Sequence, residues 1–190
     1  MSDTPPPPQK IALFGGTFNP VHLGHLHLAG LAREALALDE VRFIPCALSP
    51  HKQGTHPASA EHRLAMLRLA TADLPWAVVD DFELTSPVPN YSYLTARTFR
   101  LRFPHARLYW IMGGDQWDAL PTWKHPEQLA ADVEFIVIPR GHPPQPRPGY
   151  RLHSVPGSHP ASSTLIRTGA SSHHLPPAVA AYIATHHLYQ

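Results

Sequence analysis

The chain predicts an α/β fold, a doubly wound parallel sheet in a single domain, from three observations. Short apolar runs alternate along it with segments of helical spacing. Two of the runs, at residues 11–14 and 106–112, end in glycine pairs, Gly15-Gly16 and Gly113-Gly114. The 190 residues are 43 % hydrophobic and 15 % charged, enough apolar material for one core and too little charge for wholesale disorder.

Residues 11–14 form the first expected strand, closed by a glycine turn that Asn19-Pro20 continues. Residues 22–38 then place Leu23, Leu26, Leu28, Leu31, Ala35 and Leu38 at roughly helical spacing, and 41–45 repeat the strand signal. Residues 46–58, with Pro50, Pro57, His51 and His56, make a loop long enough to be functional. A helix is expected over 59–74, with Ser59 as its N-cap and Leu64, Leu67 and Leu69 among its apolar positions. A strand at 76–79, irregular or extended chain at 82–89, a helix at 93–103 and the strand at 106–112 follow. Short helices at 116–119 and 126–131 lead to a strand at 134–138, and residues 140–150, rich in Pro and Gly, read as a loop. A last strand at 152–155 precedes helices at 163–168 and 177–186. Ligands of such a sheet bind beyond the carboxyl ends of its strands, where both glycine turns fall.

The charge balance excludes several partner classes. Fifteen Lys plus Arg against 14 Asp plus Glu, without a basic run, leave no electrostatic footprint for nucleic acid or an anionic membrane. Any phosphate must therefore be met locally. The lone Cys46 rules out an intramolecular disulfide framework and a cysteine-rich zinc module, and fits a reducing, cytoplasmic setting. No apolar stretch approaches the roughly 20 residues that span a bilayer. Residues 1–10, with an acidic residue and prolines at 5–8, lack the apolar core of a signal peptide and are expected to be a polyproline-II-like or disordered leader ahead of a domain at 11–190. Of the 15 histidines, the doublets His173-His174 and His186-His187 read as solvent-exposed.

His22 and His25 differ by position. The run Gly15-Gly16-Thr17-Phe18-Asn19-Pro20-Val21-His22-Leu23-Gly24-His25 has neither GxGxxG spacing nor the Gly-Lys-Ser/Thr of a P-loop. It offers two glycines at a strand end, where backbone can approach a ligand, and then a helix N-terminus that favours an anion. Histidines three apart at that terminus share one face, and Gly24 between them removes a side chain where a ligand could approach. Such a pair suits the negative charge that develops in phosphoryl or nucleotidyl transfer. The alternatives are histidines packed against neighbours or a zinc site, and nothing at metal-motif spacing follows. Near the other end, Ser162-Ser163-Thr164 can cap a helix, and Arg167 one turn on can pair with phosphate.

These two segments resemble the GGTFDPxHxGH and SSTxIR signatures of the nucleotidyltransferase superfamily with an HxGH pair, a Rossmann-like fold. Within it the chain resembles the bacterial nicotinate-nucleotide adenylyltransferases, from about Ile11 to the C-terminus. Pro45, Pro50, His51 and Lys52 resemble that family's PxxxPPHK loop. Asn90-Tyr91-Ser92 with Thr95 resembles its SYTxxT segment, and Gly113-Gly114-Asp115 with Thr122-Trp123 its GxD…TW segment. The phosphopantetheine adenylyltransferases typically have Thr where His22 stands.

The resemblance implies that the 5′-phosphate of nicotinate mononucleotide attacks the α-phosphorus of ATP, giving deamido-NAD and pyrophosphate, with Mg²⁺ on the polyphosphate. By the same resemblance His22, His25 and Arg167 hold the ATP phosphates, and Lys52 adds charge from its loop. Gly15, Gly16, Thr17 and Phe18 contact nucleotide through backbone, and Ser162, Ser163 and Thr164 line the phosphate side. Trp123 stacks on the pyridine ring, Tyr91, Ser92 and the backbone of Lys124 complete the pocket, and Asp115 binds ribose or orients a nucleotide. The implied partners are ATP and nicotinate mononucleotide, with a homo-oligomer left open. Asn19 replaces the family's Asp, Asn90 and Ser92 replace Ser and Thr, Leu94 stands where Asp is frequent, and Leu48 and Ser49 depart from the loop spelling. The rival readings are an enzyme preferring nicotinamide mononucleotide or accepting both, a cytidylyltransferase, and an ATP-binding sensor without turnover.

Overall fold

The computed structural model describes residues 9–47, 57–139 and 141–189. In chain order the strands are β1 (Lys10–Gly16), β2 (Glu40–Pro45), β3 (Ala77–Val79), β4 (Arg107–Gly113), β5 (Glu134–Ile138) and β6 (Leu152–Ser154). The helices are α1 (Leu23–Leu36), α2 (Ala60–Thr71), α3 (Phe82–Thr85), α4 (Ser92–Arg102), α5 (Gly114–Ala119), α6 (Pro126–Asp132), α7 (Ser163–Arg167) and α8 (Pro177–Thr185). Short 3₁₀ turns lie at Leu120–Thr122 and Ser172–His174.

The six strands pair in the order β3-β2-β1-β4-β5-β6, and every neighbouring pair is parallel. Alternate strand residues face opposite layers. Ala12, Tyr109, Ile111 and Ile136 enter one core with Ala29 and Ala32 of α1, Met66 and Leu67 of α2 and Val179 of α8. Ile11, Leu13, Leu108, Trp110 and Phe135 enter the other, with Ala96 and Phe99 of α4, Trp117 of α5 and Leu129 of α6. Burial on both faces makes the strands read as continuous apolar runs. The strand order reverses between β1 and β4, and their register sets Leu13 opposite Trp110. Continued to the strand ends, that register brings Gly16 beside Gly113 at the switch point, the position at which open sheets of this kind bind their ligands.

Several local expectations change. Gly15 and Gly16 belong to β1, opposite Ile44 and Pro45, so the turn starts only at Thr17. Gly114 likewise opens α5 instead of prolonging a turn. Residues 82–89 are not wholly irregular: Phe82–Thr85 is one helical turn, held by the Asp80 carboxylate accepting from Phe82 N at 3.1 Å and by Ser86 Oγ donating to Phe82 O at 2.6 Å. Ser59 does cap α2, its hydroxyl accepting from His62 N at 3.3 Å. The buried face of α2 is Arg63, Met66, Leu67 and Thr71, while Leu69 is exposed. Lys10 of the expected leader pairs in β1, and residues 1–8 lie outside the described residues.

The far end of the sheet carries an ionic cluster. Glu134 accepts from His153 Nε2 at 2.7 Å and from Arg107 Nη2 at 3.2 Å, with Arg151 Nε at 3.7 Å. Burial works to raise this carboxyl's pKa, but the bonds from His153 and Arg107 and the charges of Arg107 and Arg151 outweigh it and hold the pKa below the usual 4.5. A depressed carboxyl stabilises the fold above its unfolded pKa, and that contribution is lost as pH falls through the folded value. Glu134→Gln is therefore expected to lower the thermal midpoint at pH 7 and to flatten the loss of stability on acidification below about pH 4.5. Thermal melts across pH check this, and an unchanged acid limb would count against the assignment.

Candidate active site

The helix α1 begins with exposed backbone N–H groups, and the two histidines answer that need. His22 is the N-cap, and the pair forms a reciprocal box: His22 Nδ1 accepts from His25 N at 3.3 Å, and His25 Nδ1 accepts from His22 N at 3.2 Å. Their rings stack with centroids 3.7 Å apart and planes inclined by 23°. Because each Nδ1 accepts, a neutral ring carries its proton on Nε2, and both rings become Nε2–H donors at one helix N-terminus. The helix dipole adds partial positive charge at the same place.

Gly24 allows this arrangement. A Cβ there would meet His22 Nδ1 at 3.0 Å and Ala161 Cβ at 3.2 Å. The space expected for a ligand is thus filled by the imidazole and by the residue preceding the second motif. A Cβ on Gly15 would similarly meet the Trp110 ring at 3.2 Å, and one on Gly16 the Phe18 ring at 3.1 Å. Phe18 is buried at φ 47° and packs edge-on against His25 with centroids 5.1 Å apart, so it seats the histidine pair from below.

The fold brings the second motif onto this turn. Ser163 Oγ donates to Pro20 O at 3.0 Å, and Arg167 Nη1 donates to Asn19 O at 2.8 Å. Arg167 Nη2 also reaches Thr164 Oγ1 at 3.3 Å. Ser162 occupies the N-cap position of α7 without a side-chain cap bond, which corrects its expected capping role; the neighbouring hydroxyls bind the turn and Arg167 instead.

Arg63 and Tyr189, which the sequence did not single out, act here together with Asn19 and Asn90. Arg63 is buried and donates Nε to Ala58 O at 3.0 Å and Nη1 to Thr17 O and Cys46 O at 2.8 Å each. Burial draws its pKa below the usual value, with the Cys46 and Tyr189 charges opposing; a guanidinium remains a cation regardless. Asn19 Oδ1 accepts from Ala58 N at 3.0 Å and from the Tyr189 hydroxyl at 2.7 Å. Burial pushes the Tyr189 phenol up to about 12 against the pull of Arg167 and Arg63, so its O–H is present to donate. Asn90, near the acceptor-side residues, accepts from Ala47 N at 2.9 Å and donates to Glu83 O at 3.0 Å. One signal for Arg63 was its place three and four residues before Met66 and Leu67, on the inward face of α2.

A second group of predicted residues gathers along the loops after β3 and β4. Lys124 Nζ sits over the Tyr91 ring, 4.6 Å from its centroid, and Tyr93 packs edge-on against His125 at 4.9 Å. Trp123 is half-buried, with its backbone N–H donating to Leu120 O at 3.0 Å. Ser92 opens α4, and Asp115 in the first turn of α5 lays its carboxylate back over Gly113, where a Cβ would come within 2.6 Å of Oδ1. Glu83 is buried beneath this group and accepts from Thr95 Oγ1 at 2.5 Å; burial raises its pKa against that hydrogen bond. Lys52, with Pro50 and His51, lies outside the described residues.

Comparison with known proteins places the chain in a family. The cytidylyltransferase-like family model matches residues 13–169. A "Probable nicotinate-nucleotide adenylyltransferase" of Neisseria meningitidis serogroup C (strain 053442) is 37 % identical over 196 residues, spanning 96 % of this chain and 99 % of that protein. The protein of the same name from Methylacidiphilum infernorum is 39 % identical, spanning 95 % of this chain and 92 % of its own length. Among solved structures, a Plasmodium falciparum nicotinic acid mononucleotide adenylyltransferase complexed with NaAD superposes with a TM-score of 0.75 at 18 % identity, covering 95 % of this chain and 97 % of that one. With the histidine box, the docked Ser-Ser-Thr helix and these relatives in hand, the chain belongs to the cytidylyltransferase-like family and, within it, to the nicotinate-nucleotide adenylyltransferases.

Proposed function

We propose that the protein transfers the adenylyl group of ATP to nicotinate mononucleotide, giving deamido-NAD and pyrophosphate in the biosynthesis of NAD. The observation that carries this reading is the meeting of two distant motifs: Arg167 and Ser163 bind the carbonyls of Asn19 and Pro20, in the turn that ends in the His22/His25 pair. Three groups able to donate to phosphate oxygens, His22, His25 and Arg167, are thereby tied to one strand end, while the single O–H of Ser163 is spent on Pro20 O.

The chemistry follows from what these groups can do. The 5′-phosphate of the acceptor is already an anion at neutral pH and needs no base to attack phosphorus in line. Catalysis consists of holding the two phosphates against each other and offsetting the charge that develops on the leaving pyrophosphate. His22 and His25 supply Nε2–H donors, and Arg167 supplies a fixed cation one turn into α7. Ser162, Ser163 and Thr164 line the same side, while the backbone of Gly15, Gly16, Thr17 and Phe18 faces the nucleotide. Lys52, which lies outside the described residues, adds a cation by the family resemblance. Mg²⁺ enters on the triphosphate as part of the nucleotide substrate; among the described residues no group of three or more His, Cys, Asp or Glu forms a cage for it.

The acceptor lies toward Trp123, Tyr91, Ser92 and Lys124, with Asp115 on a ribose. The Lys124 ammonium over Tyr91 places positive charge on this side, which favours a pyridine carboxylate over an amide. No helix among the described residues is long and apolar enough to cross a membrane, in keeping with a cytoplasmic biosynthetic step.

The test is pyrophosphate release with ATP and Mg²⁺, comparing nicotinate mononucleotide, nicotinamide mononucleotide and phosphopantetheine. Turnover is expected with the nicotinate compound and at most weakly with the others; equal or better turnover with the amide would move the assignment to the rival substrate. Aromatic stacking on a base is worth about 1–3 kcal/mol. Trp123→Ala is accordingly expected to raise KM for the acceptor roughly tenfold with KM for ATP little changed, and a loss confined to ATP would place the ring on the other side of the crevice.

A further inference from the structure

Helix α2 turns a cation inward. Arg63 is only 2 % exposed and shares its face with Met66, Leu67 and Thr71. A guanidinium there gives up its hydration, which only well-placed hydrogen bonds can offset. Its partners are all backbone carbonyls, and they come from three separate stretches of chain. Thr17 O lies in the turn after β1, Cys46 O just beyond β2, and Ala58 O just ahead of the α2 N-cap. Ala58 in turn donates its N–H to Asn19 Oδ1, so the phosphate turn is held at Thr17 directly and at Asn19 through one intermediary. Among the described residues no carboxylate pairs with Arg63, whose guanidinium is met by carbonyl oxygens alone.

We propose that Arg63 is a positioning residue of the adenylyl transfer: it fixes the Thr17–His22 turn that aims the histidine pair and sets a permanent positive charge behind the phosphate site. The proposal rests on the reaction assigned above. A charge in a low-dielectric interior acts across several ångströms without contact, and one already fixed in place costs no reorganisation as the transition state forms. Arginine suits the task because its planar fork reaches diverging carbonyls, whereas the single nitrogen of a lysine keeps the charge but cannot span all three. A glutamine keeps donors and loses the charge.

The experiment compares wild type, Arg63→Lys and Arg63→Gln by kcat, by KM for ATP and for nicotinate mononucleotide, and by thermal unfolding, with rates expressed per folded protein. The expected order is a kcat lower by roughly tenfold in the lysine variant and roughly 10²-fold in the glutamine variant. Each KM should change less than about threefold, since a purely structural lesion that loosened the binding site would raise KM as well. A folded lysine variant with kcat within about twofold of wild type overturns the positioning role, and a glutamine variant no slower than the lysine one overturns the role of the charge. Should glutamine fail to fold, the lysine threshold alone decides. A wild type without turnover would refute the assigned reaction, whereas an active wild type with an equally active lysine variant would refute only the role of Arg63.

Discussion

A helix that starts at a ligand site must leave its first N–H groups available yet still hold its end in place, and the reciprocal bond between His22 and His25 meets both demands. The usual capping box is built from a hydroxyl and a carboxylate. Here two imidazoles take those places, each Nδ1 accepting the other residue's backbone N–H. A carboxylate at the third position would cap equally well but would put negative charge where the proposed reaction sets phosphate. An imidazole caps with one nitrogen and keeps a donor on the other, so the same bond that closes the helix end also orients both imidazoles. Gly24 follows from this: the stacked His22 ring and Ala161 occupy the space any side chain there would need.

The remaining elements serve to hold the short turn that leads into this box. β1 delivers it to the switch point beside β4, and the backbone carbonyls of the turn are then gripped from several sides. Arg63 takes Thr17, Arg167 takes Asn19 and Ser163 takes Pro20, while the Asn19 side chain receives Ala58 and Tyr189. Carbonyls facing inward explain why two guanidiniums rather than carboxylates converge here. They also explain why Asn19 can replace the family's Asp: the Oδ1 atom alone does the accepting, and both side chains carry it. The α7 motif therefore has a double part, supplying donors and closing the turn, and this is a physical reason for two segments over 140 residues apart in sequence to occur together.

The strands were readable because central parallel strands are buried on both faces and appear as unbroken apolar runs, as at residues 134–138, where the expected and observed strands coincide. Helix ends were less so: α1 stops at Leu36 because Ala37 takes a left-handed conformation, which nothing in the side chain announces. At the candidate site, the two motifs that the fold brings together, His22 and His25 with Ser163 and Arg167, were legible in the sequence, while their contact across the fold was not. The supporting groups were not. A single arginine in a helix such as Arg63 ordinarily marks a solvated face; its spacing to Met66 and Leu67 hinted at the inward face, but its carbonyl partners Thr17 and Cys46, 46 and 17 residues away, were not legible. Tyr189 was hidden for the same reason, and Asn90, though part of a recognised segment, gave no sign of its bond to Ala47, since the partners lie 170 and 43 residues away. Gly24 was misjudged because a missing side chain can make room for a ligand or for a neighbour, and spacing alone does not distinguish them.

The account depends on where the imidazole protons reside. Long-range ¹H–¹⁵N NMR spectra of the ¹⁵N-labelled protein, recorded at mildly alkaline pH so that the rings are neutral, report the protonation of each histidine nitrogen separately. The predicted result is an unprotonated Nδ1 and a protonated Nε2 for both His22 and His25. A proton on Nδ1 of either ring would break the reciprocal box, remove one of the two donors assigned to phosphate, and contradict the central claim.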